Sequence, residues 1–359
     1  MKKLLTYFFV IAVSNYIIAQ DYRVQKPAKN FEHLWRKFDK RYASFEYKKV
    51  DWKMVYDQYR PLIGINTTND SLFSVCNDML SELKDGHVNL INHKRGKVIR
   101  QSDDAAPSAL TTKFATTRET QPNVYQLFET TKATLVENSF RQFKLSKSQL
   151  IRYSVSDDYG YLLISAMQGF KFGELGKFLD KALKEFVNKQ GVIIDVRTNG
   201  GGMDLNSHKI SGRFADKKRI AYYKHQRKKG KNTYRRLKTK YLRPSGKLQF
   251  TKPIIILTSD HTASAADVFA LMMKELPYVT VIGDRTSGIF SDMYGFKLPN
   301  GWFATLSHQQ YFSTEMKNLE GIGVQPDIKL LNEPMDIKNN VDPLILKALD
   351  LLNKKNRED

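Results

Sequence analysis

Three short apolar runs limit the folds that this chain can adopt. Residues 161–164, 192–196 and 253–258 are apolar almost throughout, whereas a strand with one face in water alternates apolar and polar residues. A segment with helical spacing of its apolar residues, 175–186, lies between the first two runs. Strands buried on both faces that alternate with amphipathic helices indicate a mainly parallel sheet covered by helices. We therefore expect an α/β fold.

The residues before this pattern predict a helical subdomain. Apolar residues share one helical face in 31–38 and again in 52–59. A third helical pattern ends at Asp85-Gly86, and His87 then leads into an alternating strand. We therefore expect an N-terminal helical subdomain over residues 20–92 that ends at the histidine segment.

Residues 93–158 have the least regular pattern and predict a few strands and loops. The α/β pattern then continues through 159–359, with a final helix that begins at Pro343. The predicted organisation is therefore a helical subdomain, an irregular region and an α/β core.

Residues 1–19 have the composition of an export signal. Lys2 and Lys3 precede an apolar stretch, and Ala19-Gln20 is a suitable cleavage point. The apolar stretch is short for a membrane span. We expect an exported protein, periplasmic or secreted, which is membrane-anchored only if the signal stays uncleaved.

The chain carries a formal net charge of +21, and much of the surplus lies in residues 217–247. Lys or Arg occupies nearly every second position there, tyrosines lie between them, and no acidic residue follows Asp216. Basic residues with aromatic neighbours can bind single-stranded nucleic acid. Because no nucleic-acid-binding motif accompanies the segment, we expect no such partner. A solvated ribbon is the simplest interpretation, with contact to anionic surfaces or polyanions as the alternative.

Cys76 is the one cysteine of the sequence, and it lies in a helical apolar pattern. It is predicted to be a small buried apolar residue. The sequence has no zinc-type spacing of Cys and His, so we expect neither a metal nor a cofactor.

Ser264 lies where a buried strand becomes a helix. Residues 262–267 follow the run 253–258 and open a segment with helical spacing. The backbone N–H groups at a helix N-terminus are unpaired, and the helix dipole favours negative charge there. A serine at this place can be a nucleophile whose oxyanion is held by amides. The common alternative is a helix cap.

Gly200, Gly201 and Gly202 follow another buried strand, which ends near Asp195. Ligand sites of open α/β sheets lie at the carboxyl ends of strands, and glycines let backbone amides approach a substrate. A phosphate-binding loop needs Lys-Ser or Lys-Thr after the glycines, but Met203-Asp204 follows here. An oxyanion hole and a tight turn remain as interpretations.

Together with a histidine and a glutamate elsewhere, these segments resemble one family. It is the C-terminal processing (tail-specific) serine peptidases, in the branch typified by the tricorn protease core. The matching segments occur in the family's order and are Asp85-Gly86-His87, Gly160-Tyr161-Leu162, Asp195 to Gly202, Ala263 to Asp267, Gly283 to Gly288, and Glu320 to Ile328. The resemblance implies a sheet of the ClpP–crotonase type with flanking helices and a helical N-terminal part.

The resemblance also implies an active site, with Ser264 as the nucleophile. Tail-specific members use a lysine base about 25 residues after the serine, where this chain has Ile289. The tricorn-like branch uses a histidine supported by a glutamate, and His87 and Glu320 match those positions. A carboxylate that orients the imidazole lets it accept the serine proton. The implied oxyanion hole consists of the backbone amide of Ala265 and that of one glycine after Asn199, with Gly201 preferred and Gly200 as the alternative.

Three departures from the family pattern limit what carries over. The acidic residue after the nucleophile is Asp267 in this chain, where many relatives have Glu. The tricorn core has a serine just before its histidine, which bridges to the glutamate, whereas this chain has Gly86. Residues 93–158 lack the carboxylate-binding loop of a PDZ domain, so we expect no functional PDZ domain. The resulting expectation is a serine endopeptidase that acts on polypeptides. A non-catalytic protein that binds ligands in a hydrophobic cleft of the same fold is the alternative.

Overall fold

The computed structural model describes residues 27–92, 99–101 and 124–358. The predicted signal at residues 1–19 lies outside the described residues. Part of the segment 93–158, on which the PDZ prediction rests, also lies outside them, because 93–98 and 102–123 are not described.

The described residues form two compact units that are discontinuous in sequence. The first unit contains residues 27–92, 99–101, 227–233 and 293–308. The second unit contains residues 124–226, 234–292 and 309–358. Two separate parts of the chain therefore leave the second unit and return to it.

The described part of the first unit combines helices with a four-stranded antiparallel sheet. Its helices are α1 (Pro27–Arg41), α2 (Phe45–Lys48), α3 (Trp52–Tyr59), a 3-10 turn (Arg60–Leu62) and α4 (Asn69–Ser81). The sheet has the order β11 (Met293–Lys297), β12 (Phe303–Ser307), β1 (Asn89–Asn92) and β2 (Ile99–Gln101). The strand after the predicted histidine segment is thus an inner strand of this sheet.

The core of the first unit joins α1 and α4 to the sheet. Phe31 and Phe38 of α1 pack with Cys76 of α4, with Ala304 of β12 and with Trp302, which directly precedes β12. Cys76 is fully buried, and this burial raises the pKa of its thiol to about 12. The prediction that it is a buried apolar residue is confirmed.

The second unit is built on a seven-stranded sheet. Its strands, in spatial order, are β14 (Ile328–Lys329), β10 (Val279–Gly283), β9 (Ile254–Thr258), β6 (Gly191–Asp195), β5 (Tyr159–Ile164), β4 (Ile151–Val155) and β3 (Lys144–Leu145). The strands from β14 to β5 are parallel, and β4 and β3 are antiparallel. The predicted α/β fold with a mainly parallel sheet is confirmed.

Helices cover both faces of this sheet. One face packs against α6 (Glu174–Phe186), α7 (Asp204–Ser211) and α8 (Ala265–Met273), and the other against α5 (Val124–Glu137) and α10 (Pro343–Glu358). A short helix, α9 (Pro334–Lys338), precedes α10. Every residue of β6 and β9 is buried, because alternate side chains such as Ile193 and Ile194 enter opposite cores. This two-sided burial explains the continuous apolar runs.

Helix α5 lies within residues 93–158, for which the sequence pattern predicted only strands and loops. Three threonines, Thr130, Thr131 and Thr134, are buried on it, so its inner face is not an apolar stripe. Two of their hydroxyls donate to backbone carbonyls four residues earlier, from Thr131 to Leu127 at 2.8 Å and from Thr134 to Thr130 at 3.0 Å. These bonds satisfy the hydroxyls inside the core. Because threonines occupy buried positions of the helix, its apolar residues alone do not show the helical period.

The basic segment forms a hairpin instead of a plain ribbon. Strands β7 (Arg219–Gln226) and β8 (Lys238–Leu242) pair antiparallel, and β13 (Gln309–Phe312) pairs with β7. The ammonium group of Lys218 lies 4.2 Å from the ring centroid of Tyr241. The side chains of Arg235, Arg236 and Lys238 are exposed, so the predicted solvation of the segment agrees with the structure.

A buried ion network joins β6 to both helices on one face. Arg197 is almost fully buried, and its Nη2 lies 2.6 Å from Asp195 Oδ2 and 2.8 Å from Asp342 Oδ2. Thr131 Oγ1 of α5 lies 2.7 Å from Asp342 Oδ2, and Asn332 Oδ1 accepts from Arg197 Nη1 at 2.8 Å. Burial alone would raise the pKa of Asp342, but the Arg197 charge and its hydrogen bonds hold it below its ordinary value.

Each helix in the described ranges is too short or too polar to span a bilayer.

Removing the Arg197 charge should destabilise the second unit strongly. Arg197→Leu leaves two buried carboxylates without a counter-ion, which costs about 3–5 kcal/mol of unfolding free energy. Urea denaturation measures the loss. Arg141→Leu is the matched control, because Arg141 pairs with Asp157 on the surface, where the side chains are 67% and 90% exposed, and it should cost less than about 1 kcal/mol. Equal losses in the two variants would contradict this account of the network.

Candidate active site

Ser264 occupies a sharp turn between β9 and α8. Its backbone has φ 56° and ψ −119°, which L-residues rarely adopt. The turn before it is fixed to the end of β6, because Ser259 Oγ donates to the Arg197 carbonyl and Thr262 Oγ1 donates to the Val196 carbonyl. All nine residues of α8 are buried. The serine is therefore held in a strained conformation at the start of a buried helix.

The glycine loop packs directly against Ser264. A Cβ atom on Gly201 would lie 2.6 Å from the Ala263 carbonyl oxygen and 2.7 Å from Ser264 Cβ. Gly201 also has φ 101°. Both the contact distance and the backbone angle require glycine here, and the missing side chain lets the loop approach the serine.

Asn199 fixes the course of the glycine loop, a role that the sequence analysis missed. Its Nδ2 donates to the Ile164 carbonyl at 3.0 Å, and its Oδ1 accepts the Gly201 N–H at 2.9 Å. The Ala263 N–H donates to the Asn199 carbonyl at 3.0 Å. The N–H of Gly201, one of the two predicted glycine donors, is thus engaged within the loop. An asparagine between a buried strand and glycines is the sequence signal that could have identified this role.

Asp267 joins Ser264 to the loop at residues 286–289. Its carboxylate accepts the N–H of Ser264 at 2.7 Å, of Gly288 at 2.9 Å and of Ile289 at 3.1 Å. The side chain is fully buried. Burial raises the pKa of Asp267 to about 6, against the hydrogen bonds from Thr286 and from these amides. Asp267, which the sequence marks only as a departure from the family pattern, thus anchors the backbone of Ser264.

Glu320 belongs to the same hydrogen-bonded assembly. Its Oε2 accepts the Phe290 N–H at 2.8 Å, next to the Ile289 amide that binds Asp267. The Gly321 N–H donates to the Gly288 carbonyl at 2.7 Å. The structure therefore brings Ser264, Ala265, the glycine loop and Glu320 together within the second unit.

His87 is carried by the first unit. It is 6% exposed, and its backbone N–H donates to Asp85 Oδ1 at 2.9 Å. Thr305 Oγ1 donates to the His87 carbonyl at 2.7 Å, and the Tyr42 hydroxyl donates to Asp85 Oδ2 at 2.9 Å. Asp85 and Thr305 thus fix the backbone of the histidine from both sides. Gly86 leaves no side chain before it.

The lysines on either side of Ile289 in the sequence, Lys274 and Lys297, do not replace the family lysine. Ile289 occupies the position of the family lysine, and its amide binds Asp267. Lys274, at the end of α8, donates to the Gln325 carbonyl at 2.6 Å and lies 2.9 Å from Asp327. Lys297 is exposed in the first unit.

A second cluster of titratable groups follows the glycine loop, and the sequence analysis did not identify it. The Tyr311 hydroxyl contacts Asp204 at 3.0 Å and Asp292 at 2.9 Å, and Lys224 Nζ lies 2.9 Å from Asp292. Burial, followed by the Asp292 charge, raises the pKa of Asp204. These residues are far apart in sequence, so only the position of Asp204 directly after the glycines hinted at the cluster.

No group of three or more His, Cys, Asp or Glu side chains in residues 27–92, 99–101 and 124–358 is placed to hold a metal ion.

Comparison with known sequences identifies two families in the chain. The profile of peptidase family S41 matches residues 158–330, and that of the tricorn protease C1 domain matches residues 23–81. A carboxy-terminal-processing protease of Bartonella bacilliformis is 26% identical over 198 residues, which are 54% of this chain and 43% of that protein. The tricorn protease of Thermoplasma volcanium is 26% identical over 223 residues, 59% of this chain and 19% of that protein. The chain thus spans less than half the length of either relative.

A solved structure covers nearly the whole chain. It is a protein from Parabacteroides merdae that is provisionally described as a peptidase. It is 30% identical to this chain, with a TM-score of 0.74, and the match covers 91% of this chain and 97% of that one. The resemblance predicted from the sequence is confirmed: the chain belongs to peptidase family S41, with a tricorn-type N-terminal part.

Proposed function

We propose that the chain is an exported serine peptidase that cleaves polypeptides through an acyl-enzyme. The observation that carries this proposal is the setting of Ser264. The serine is strained at a helix N-terminus, its amide is bound by Asp267, and a glycine loop packs against its Cβ. Strained backbone persists where the surroundings hold it, and it is common at active sites.

In the proposed mechanism, Ser264 Oγ attacks the carbonyl carbon of the scissile bond. His87 accepts the hydroxyl proton and then donates it to the leaving amine, while Glu320 orients the imidazole and stabilises its cation. Water next attacks the acyl-enzyme with the same base, which releases the new carboxyl end of the peptide and restores the serine. The chemistry requires His87 to come within hydrogen-bond reach of Ser264 Oγ.

The amides of Ala265 and Gly200 are the proposed oxyanion donors. Ala265 is the first residue of α8, where N–H groups have no partner within the helix. Gly201, the third predicted donor, contributes mainly by its close approach, because its N–H already binds Asn199. Donors fixed before the reaction cost no reorganisation when charge develops on the carbonyl oxygen.

Export is proposed from the sequence of residues 1–19, with Lys2 and Lys3 before an apolar stretch and Ala19-Gln20 at its end.

A fluorophosphonate probe tests the proposed nucleophile and base. The probe should label the wild-type chain, and Ser264→Ala should abolish labelling. His87→Ala should slow labelling by about a thousandfold or more, since the serine loses its base. Mass spectrometry of the labelled protein gives both the site and the rate. Glu320→Gln should also slow labelling, but less than loss of the histidine does.

His33→Ala is the matched control for the base, because His33 lies in the same unit as His87 and outside the proposed site. Thermal unfolding shows whether each variant keeps its fold. Equal labelling rates for His87→Ala and the wild type would refute the base assignment. A folded wild type that never reacts and copurifies with a lipophilic molecule would favour the non-catalytic alternative.

The pH dependence of stability tests the buried carboxylate that anchors Ser264. Because the folded-state pKa of Asp267 is about 6 and its ordinary value is 3.8, the folded chain holds a proton that the unfolded chain releases between these values. Stability is therefore present at low pH and falls as the pH rises through about 6. The unfolding free energy of the wild type should fall by about 2 kcal/mol between pH 4 and 6 relative to Asp267→Asn, out of about 3 kcal/mol over the whole titration.

Asp157→Asn, which removes an exposed carboxylate, should show no such difference from the wild type. Parallel curves for the wild type and Asp267→Asn would contradict the raised pKa.

Binding of a polyanion through the β7–β8 hairpin is a second candidate function. It is favoured by the exposure of the side chains of Lys218, Lys238 and Arg243. The carboxylate of Asp216 is already paired with Arg219 at 2.8 Å, so it does not neutralise these three cations. Such binding weakens steeply with salt, because it releases counter-ions.

The triple variant with Gln at residues 218, 238 and 243 should elute from a sulfated polysaccharide column at clearly lower salt than the wild type. The control variant replaces Lys147, Lys177 and Lys181, which are also exposed, with Gln. It therefore removes the same number of positive charges. Equal shifts in the two variants would assign retention to net charge alone and reject the hairpin as a binding site.

A further inference from the structure

A cavity of about 480 Å³ lies on the α5 face of the sheet in the second unit. Leu127 and Phe128 of α5 and Leu163 of β5 form its apolar wall. Arg152 of β4, together with Asp195 and Arg197, supplies its charged groups. Cavities of this volume accommodate small organic ligands, and this one is lined by neither Ser264 nor Glu320.

The charged groups at the floor of the cavity are already satisfied. Asp195 accepts from Arg197 and from the Tyr161 hydroxyl, the latter at 2.8 Å. Arg197 also binds Asp342, whose Oδ1 accepts the Leu344 N–H at the start of α10. The floor therefore has its charges matched within the protein, and a ligand cannot improve on these bonds.

Arg152 is the exception among the lining cations. Its Nε is buried and has no acceptor among the residues that the structure describes. Its Nη2 donates to the Gln149 carbonyl at 3.2 Å, and its guanidinium lies 4.4 Å from the ring centroid of Phe128. Burial lowers the pKa of Arg152, against the opposing effect of the Tyr161 and Glu129 charges, so its guanidinium lacks full solvation. A buried donor without an acceptor is costly, so an acceptor supplied by a ligand is stabilising.

We propose that this cavity binds a monocarboxylate with an apolar side group, whose carboxylate meets Arg152 and whose apolar group packs on Leu127, Phe128 and Leu163. Guanidinium groups bind carboxylates with two parallel hydrogen bonds, a geometry that an amide cannot reproduce. A free C-terminal residue of a peptide and a free carboxylic acid share this chemistry. The site is separate from the proposed active site and does not depend on peptidase activity.

Isothermal titration of the full-length chain with N-acetylphenylalanine and its C-terminal amide tests the carboxylate requirement. The acid should bind at least about tenfold more tightly than the amide. Arg152→Gln should remove this preference, and Arg152→Lys should retain part of it. Arg141→Gln is the matched control, since it removes an exposed guanidinium of the same unit, and it should bind as the wild type does.

Ser264→Ala and fluorophosphonate-treated protein separate this site from the proposed active site. Binding of the acid should be unchanged in both, whether or not the serine reacts with the probe. Loss of binding after either change would overturn the inference, because the ligand would then occupy the active site. Equal affinity for acid and amide, equal affinity of Arg152→Gln and the wild type, or no binding up to about 10 mM would also overturn it.

The two sources of the carboxylate differ in the groups beside it. Titration with 3-phenylpropanoate provides the free acid without the peptide amide. Tighter binding of N-acetylphenylalanine would assign the site to a peptide C-terminus, and tighter binding of 3-phenylpropanoate would assign it to a free acid. Either result supports the cavity as a carboxylate site. Thermal unfolding of Arg152→Gln and Arg152→Lys verifies that lost binding is not lost folding.

Discussion

The buried guanidinium of Arg197 holds together the end of the sheet that carries Ser264. Its N–H groups bind Asp195 at the end of β6 and Asp342 at the start of α10. The backbone carbonyl of the same residue accepts a hydrogen bond from Ser259, which belongs to the turn before Ser264. A buried charge has to keep its partners, so the side chain and the backbone of one residue tie two helices, a strand and the serine turn into a fixed arrangement.

The serine itself is a local cost that this arrangement has to offset. A non-glycine residue with a left-handed backbone costs on the order of 1–3 kcal/mol, and Asp267 adds the cost of a buried carboxylate. The three amides that Asp267 accepts, from Ser264, Gly288 and Ile289, are the compensation. The strained backbone of Ser264 and the buried carboxylate of Asp267 are thus stable only in combination. They position one hydroxyl and link it, through the loop at residues 288–290, to Glu320.

The sheet and the Ser264 turn were predictable because their signals are local: two-sided burial produces continuous apolar runs, and a serine follows one of them. Helix α5 was not predictable, because buried threonines such as Thr131 interrupt its apolar stripe. The pairing of Asn89 with Thr305 was not predictable either, since no local pattern encodes contact between distant strands. For the same reason the Tyr311 cluster was missed, and Asp267 was noticed only as a departure from a motif.

The burial of Cys76 gives the chain a further property. This thiol is the one cysteine of the sequence, it is fully buried, and its pKa is about 12, so almost none of it is present as the reactive thiolate near neutral pH. The natural protein is therefore nearly inert to maleimides and similar reagents. A cysteine introduced at any exposed position becomes the dominant reactive thiol, and one on each unit permits paired spectroscopic labels that report the distance between the two labelled positions.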